Sequence, residues 1–517
     1  MSANIQPGIE RRIAKVSLVT GVSTALSIGL QLLSVPVCLR YWGKDTYGIW
    51  LSLFAAFTLM RTVDGGYIGY VGNKLNMLYH RDEQALRVTL ASAVWGVAFL
   101  GVLQLMILAL LFATDSVGTI MDSQHSPTAA REAVLALLVL SLSWIFTGSY
   151  LGIVHRFLIP VGLMYQAAWW SMGFQVTQFG ALIASAVLGL GILQAAMLFG
   201  SVQAVVYIAS AVYIKLKLPR FYPWWTGPSR VVGMSDLLRS VPFTVGGVLQ
   251  QGGSSGLVML VSAFLGPAAV PAFASIRTMS NLWTTLTNIL TTPLLPDVVR
   301  FQAKREGQKL LAVYQAHWLL VGSAVNLSIL IAYPFLETLY GIWTDNQLLL
   351  DKQLLSFLLA SVSLAGMSAL MTTLLSGLNH SGFMITGAAL RGGLALFVGA
   401  LLLPTYGLAG LGFAVLIAEG VVLAVTVLWF FRRELARIGA EAKPSLLGWS
   451  WFSSGCVVTY LLAESFGLSV GSSLYWIAIS GVVLGSVCSW RGLNADIKKR
   501  VRSLLQLPSG ICALRRR

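Results

Sequence analysis

Residues 16–63 read VSLVTGVSTALSIGLQLLSVPVCLRYWGKDTYGIWLSLFAAFTLMRTV, and this stretch decides the fold. Val16 to Leu39 is apolar for long enough to cross a bilayer as a helix, and Tyr47 to Val63 is a second run. Only a short polar and aromatic turn, Arg40 to Thr46, separates them. Neither run alternates in hydrophobicity, so they read as helices rather than strands of a barrel.

The same pattern continues along the chain. Apolar spans are expected at 16–39, 47–63, 88–113, 132–154, 160–187, 191–214, 236–265, 270–295, 310–336, 353–378, 382–403, 407–431, 446–466 and 472–490. The predicted class is therefore an all-α, polytopic membrane protein with about 14 transmembrane helices. Composition agrees: 56% hydrophobic and 10% charged residues leave too little polar surface to coat a soluble globule of 517 residues. The mean hydropathy is +0.77.

Charge orients the spans. The loops carrying Arg11, Arg12, Lys15, Lys74, Arg81, Arg87, Arg156, Lys215 to Arg239, Arg300 to Lys309, Arg432 to Lys443 and Arg491 to Arg517 hold 28 of the 35 lysines and arginines. The alternate loops hold only Arg40, Lys44, Arg131 and Lys352, beside acids such as Asp45, Asp115, Asp122 and Asp351. The positive-inside rule then makes both termini cytoplasmic. The net charge of +16 is explained by topology, so nucleic acid is not the expected partner. The apolar run after Lys15 lacks a small-residue cleavage site and reads as an uncleaved first span. Cys38, Cys456, Cys488 and Cys512 form no C-x-x-C pair and read as small apolar residues.

A weak internal repeat relates Tyr41-Trp42-Gly43 leading to Tyr47-Gly48 and Trp50 with Phe264-Leu265-Gly266 leading to Val270-Pro271 and Phe273. It implies two six-helix bundles, residues 1–220 and 221–435, followed by a C-terminal pair with a basic tail, 436–517. An even number of helices in each half relates the halves by an axis along the membrane normal. A central cavity between them is the expectation.

These residues resemble a known family. Pro36 in the first span, the turn Trp42-Gly43-Lys44-Asp45-Thr46-Tyr47-Gly48-Ile49-Trp50, Asp64-Gly65-Gly66, Phe264-Leu265-Gly266, Pro293 to Pro296 with Asp297, and Pro404-Thr405-Tyr406-Gly407-Leu408-Ala409-Gly410 are similar to the polysaccharide flippases of the MOP superfamily. The resemblance implies a MATE-like fold that moves an undecaprenyl-diphosphate-linked oligosaccharide to the outer leaflet by alternating access. It also implies relatedness to lipid II flippases, in which the extra helix pair makes a groove for the lipid tail, and partners among membrane lipids, a polysaccharide polymerase and glycosyltransferases. A monomer is expected.

Independently of any family, charges inside spans are costly and mark cavities or partners. Five stand out: Arg61, Asp64, Arg277, Arg391 and Glu419. Arg61 and Asp64 are three residues apart and can neutralise each other near the cytoplasmic surface, or Arg61 can meet an incoming diphosphate. Arg391 and Glu419 fall at similar depth and read as an interhelical ion pair, or as a switch in which protonated Glu419 releases Arg391 to substrate. Arg277 has no acid three or four residues to either side and heads a stripe, Arg277, Asn281, Thr284, Asn288 and Thr291, on one helical face. Gln250 and Gln251 lie on the preceding span. Arginine suits a diphosphate through bidentate charge-assisted bonds, and amides and hydroxyls suit sugar hydroxyls. The substrate-binding set is thus Arg277, Arg61, Arg391, Asn281, Thr284, Asn288, Gln250 and Gln251, with Glu419 and Asp64 as coupling or ion-pair acids. The stripe reads alternatively as a polar seam between packed helices.

No enzyme, cofactor or metal is expected. The chain lacks a P-loop, its cluster Gly407 to Gly412 is in the wrong order for a dinucleotide site, and its five histidines have no metal spacing. Two rivals share the architecture or the location. A MATE-type multidrug or cation exporter would need acidic cavity residues, and Val16 to Leu39 contains no carboxylate. A non-transporting scaffold would bind synthesis enzymes through the tail Lys498 to Arg517.

Overall fold

Long apolar runs with few helix breakers can satisfy their backbone only within themselves in hydrocarbon, and helices are what the chain forms. The computed structural model describes residues 7–79, 81–113, 127–377, 381–427, 432–437, 444–467, 471–492 and 498. The acids Asp115 and Asp122 and nearly all of the basic tail fall outside the described residues.

Among the described residues, nine helical stretches are long and apolar enough to cross a membrane. Two are too long to be single crossings. Gly21–Leu78 has 58 residues, roughly 87 Å at 1.5 Å per residue against a core of about 30 Å. It breaks at Gly43, where φ 71° and ψ 175° leave the helical region. Ile385–Val425 has 41 residues and breaks at Gly407, φ 57° and ψ −146°. The helices Met164–Val187, Val270–Thr291 and Pro444–Ser465 also reach spanning length with more polar faces.

The repeat seen in the sequence is present in the backbone. Gly266, the counterpart of Gly43, adopts φ 83° and ψ 163°. This is a conformation open to glycine and strained for any residue with a Cβ. The two turns also touch, because a Cβ on Gly48 would stand 1.9 Å from the Pro267 carbonyl oxygen.

The second expected span is longer than its sequence suggests. Expected to end at Val63, the helix runs on to Leu78. Gly66 is needed inside the helix: a Cβ there would lie 2.4 Å from Thr244 Cα. Small residues let helices in a membrane approach backbone to backbone. Gly247 likewise faces Thr62, Tyr70 stacks near Phe243 at 5.7 Å, and Lys74 Nζ meets both Asp236 carboxylate oxygens at 2.8 Å. Helix 44–78 is therefore zipped along much of its length to Arg230–Gln251.

The chain divides into two compact units. The first is Met1–Ser275 with Trp343–Leu348, and takes in the seventh span. Part of its core is a cluster of Tyr67, Val71, Leu90, Val94, Phe157 and Phe221, with Phe157 and Phe221 edge to face at 4.7 Å.

The second unit is Ile276–Ile342 with Leu349–Arg517. Buried Asn326 ties three helices by donating to Ser454 Oγ at 2.9 Å and accepting from Ser363 Oγ at 2.7 Å. The C-terminal pair, Pro444–Ser465 and Gly471–Gly492, packs through small residues, since a Cβ on Gly485 would meet Ser453 Oγ at 2.3 Å.

Candidate functional site

The first unit contains a buried carboxylate set between three helices. Asp64 is fully buried, and its Oδ2 accepts a hydrogen bond from Trp144 Nε1 at 3.0 Å and a short one from Ser149 Oγ. Both donors sit in a π-helical turn, Trp144–Ser149. In an α-helix, residues five apart point about 140° away from each other. The i→i+5 ladder of a π turn stacks them, so both reach one acceptor.

Arg61 does not close onto Asp64 as their spacing allows. Its guanidinium lies over the Trp144 ring, Cζ to centroid 4.3 Å, with Phe57 at 5.9 Å. With the helix running to Leu78, both charges sit near the middle of its length. Gln203, from the helix Ile192–Lys217, is also buried, and neither amide atom has a partner among the described residues.

The second unit repeats the theme with another outcome. Arg391 lies in the π turn Ala389–Gly393. It donates from Nε to Glu419 Oε1 at 2.6 Å and from Nη2 to Oε2 at 3.0 Å. The two side chains form an ion pair, the arrangement from which a protonated Glu419 would release Arg391. Asp64 and Glu419 are thus each held by residues of a π turn, an irregularity that recurs at functional sites.

The polar stripe lies on Val270–Thr291. Arg277 is half-buried, Asn281, Thr284 and Asn288 are exposed, and Thr291 is buried against His317 Nε2 at 3.0 Å. Exposed amides in the middle of a membrane-spanning helix cannot face hydrocarbon cheaply, since each would lose its hydrogen bonds to water. On the seventh span Gln250 is exposed, whereas Gln251 donates to Ser255 Oγ at 2.7 Å, in the π turn Gly252–Gly256 that follows it. The sequence-predicted residues divide accordingly: Arg61, Asp64, Gln250 and Gln251 belong to the first unit, the others to the second.

Sequence reasoning missed Trp144, Ser149, Lys74 and Asp236. A signal for Trp144 existed, since it lies mid-span while most membrane tryptophans cluster at interfaces. Lys74 was hidden by the early end assigned to its helix. No group of three or more potential metal-ligating residues occurs among the described residues.

Comparison with known proteins places the fold. No protein-family model matches the chain, and no curated protein matches its sequence. Solved structures do match. The lipid II flippase MurJ in an inward closed conformation is similar over 95% of this chain and 100% of its own, with TM-score 0.65 and 12% identity. An inward-facing multidrug resistance MATE transporter of the MOP superfamily covers 82% of this chain and 100% of its own, at TM-score 0.58 and 17% identity. A MOP superfamily transporter from Pyrococcus furiosus, described as having a binding pocket of reverse polarity, covers 83% and 96% at TM-score 0.55 and 16% identity. At these identities the likeness speaks to fold: an all-helical membrane architecture shared by MurJ and the MATE transporters, and these solved relatives are transporters.

Proposed function

We propose that this chain flips an undecaprenyl-diphosphate-linked oligosaccharide from the cytoplasmic to the outer leaflet of the bacterial inner membrane by alternating access, in polysaccharide biosynthesis. The observation that carries this reading is the stripe on Val270–Thr291, where half-buried Arg277 shares a face with exposed Asn281, Thr284 and Asn288. A guanidinium followed by neutral amides and a hydroxyl matches a passenger that is anionic at one point and rich in hydroxyls beyond it. Few cations suit such a site, because a diphosphate held too tightly would not leave.

In this reading Arg277 and Arg61 receive the diphosphate, and Asn281, Thr284, Asn288, Gln250 and Gln251 receive sugars. Arg391 joins them only when Glu419 lets it go, and Glu419 and Asp64 are the acids through which an ion gradient would act. The prenyl tail is assigned to the C-terminal pair. An apolar hollow of about 300 Å³ lies there, lined by Phe452, Cys456, Thr459, Tyr460, Leu474 and Ile477. Both termini are cytoplasmic, the protein works as a monomer, and a polymerase and glycosyltransferases stand on either side of it in the reaction sequence.

The second reading, a MATE-type exporter of cations, has the same fold in its favour. The span charges weigh against it, because three arginines face two acids, and both acids are already engaged. The test is Arg277→Ala in a strain whose surface polysaccharide depends on this protein. Lost polymer with accumulating lipid-linked precursor at normal protein level is the expected result. Unchanged output removes Arg277 from the site and the reading with it.

A further inference from the structure

Trp144 stands between two opposite charges that its own helix does not carry. The Arg61 guanidinium lies on its ring face at 4.3 Å, while its Nε1 donates to Asp64 Oδ2 at 3.0 Å. Arg61 and Asp64 are three residues apart on one helix, a spacing at which side chains meet. Asp64 Oδ1 accepts no hydrogen bond among the described residues, so an acceptor for the guanidinium exists. The arginine nevertheless lies on the indole and makes no ion pair among the described residues.

The manner of holding matters chemically. A guanidinium donates hydrogen bonds only in its plane, through five N–H groups. A bidentate carboxylate consumes that edge, as Glu419 does at Arg391 through Nε and Nη2. Stacking on an aromatic ring uses the face instead and leaves the in-plane donors open. The π turn Trp144–Ser149 supplies the rest, since Ser149 Oγ and Trp144 Nε1 together hold Asp64 Oδ2.

We propose that Trp144 is a positioning residue that keeps Arg61 from pairing with Asp64, so that the guanidinium edge stays open for a phosphate of the cargo. The cargo part rests on the flippase reading above; the spacing part does not. The aromatic ring acts as insulation, and removing it lets the arginine fall onto its neighbouring carboxylate.

Arginine-specific labelling with phenylglyoxal, read at Arg61 by mass spectrometry on the purified full chain, tests the spacing. Wild type is expected to label. Trp144→Leu should label at least severalfold more slowly, and Trp144→Leu with Asp64→Asn should recover, because no carboxylate remains to trap the guanidinium. A merely structural role for Trp144 predicts no such rescue. Labelling of Trp144→Leu at the wild-type rate, or failure of the double variant to recover while folded, overturns the proposal. Should Trp144→Leu not fold, Trp144→Met removes the aromatic face at closer to the original bulk and is read the same way. Binding of undecaprenyl diphosphate to wild type in nanodiscs is measured alongside. Expected labelling without lipid binding would sink the cargo reading and leave the spacer standing, whereas lipid binding with labelling indifferent to Trp144 would sink the spacer alone.

Discussion

Glu419 holds one edge of Arg391 with both its oxygens, Nε to Oε1 at 2.6 Å and Nη2 to Oε2 at 3.0 Å, from helices on either side of the turn at Gly407. Glu419 is nearly buried while the Arg391 side chain is 40% exposed. Removing one member leaves the other uncompensated, which costs several kcal/mol when both are buried. With Arg391 partly solvated the loss should be nearer about 2 kcal/mol. Arg391→Ala is expected to lower the unfolding midpoint clearly, and Arg391→Ala with Glu419→Ala to regain much of it. Additive losses in that double-mutant cycle would show that the pair does not stabilise the fold as a unit.

Adjacent glycines separate packing from propensity. A Cβ on Gly65 meets nothing within 4 Å, whereas one on Gly66 would collide with Thr244 Cα at 2.4 Å. Gly65→Ala should be neutral or stabilising by up to about 1 kcal/mol, because alanine favours a helix interior. Gly66→Ala must push two backbones apart and should cost about 3 kcal/mol. The check is detergent-solubilised unfolding of the two variants side by side; equal midpoints would contradict the close approach.

That contrast also shows where sequence reading reached its limit. The apolar runs and the alternation of basic loops were legible because membrane solvation acts on every residue of a span. The turns at Gly43 and Gly266 were legible as a repeat because both need the same backbone. Helix ends were not, since Gly65-Gly66 reads identically as a terminus or as a contact surface until Thr244 is brought against it. The neighbours of Asp64 were hidden for a similar reason. Trp144 and Ser149 lie 80 and 85 residues away, and only a π turn aligns them, which no periodicity announces. Arg391 and Glu419, by contrast, could be paired by counting depth along two helices.

Lys74 and Asp236 make an unequal pair, with side-chain exposures of 25% and 1%. The buried member governs the outcome. Lys74→Met strands a carboxylate between two helices and should destabilise by about 3 kcal/mol. Asp236→Asn leaves a neutral amide beside a lysine that can reach water and should cost less, about 1 kcal/mol. Adding Asp236→Asn to Lys74→Met should therefore restore stability. Unfolding midpoints rank the three variants, and a Lys74→Met protein as stable as wild type would mean that Asp236 finds another donor.

Asn326 is the joint between the C-terminal pair and the rest of its unit. Its amide donates to Ser454 Oγ and its carbonyl accepts from Ser363 Oγ, so one side chain bridges Lys352–Gly377 and Pro444–Ser465. Interhelical hydrogen bonds in membrane proteins average about 0.6 kcal/mol and rarely exceed about 1.7. Asn326→Leu, which keeps the branching at Cγ, should then lose about 1–2 kcal/mol. The two serines left behind can turn to carbonyls of their own helices, so Ser363→Ala and Ser454→Ala should add little to Asn326→Leu while each is measurable alone. If instead the serine changes add in full on the leucine background, the three residues do not act as one network. The attachment of the C-terminal pair would then rest on contacts such as Gln353 Nε2 to the Ser465 carbonyl and Tyr475 to the Leu330 carbonyl.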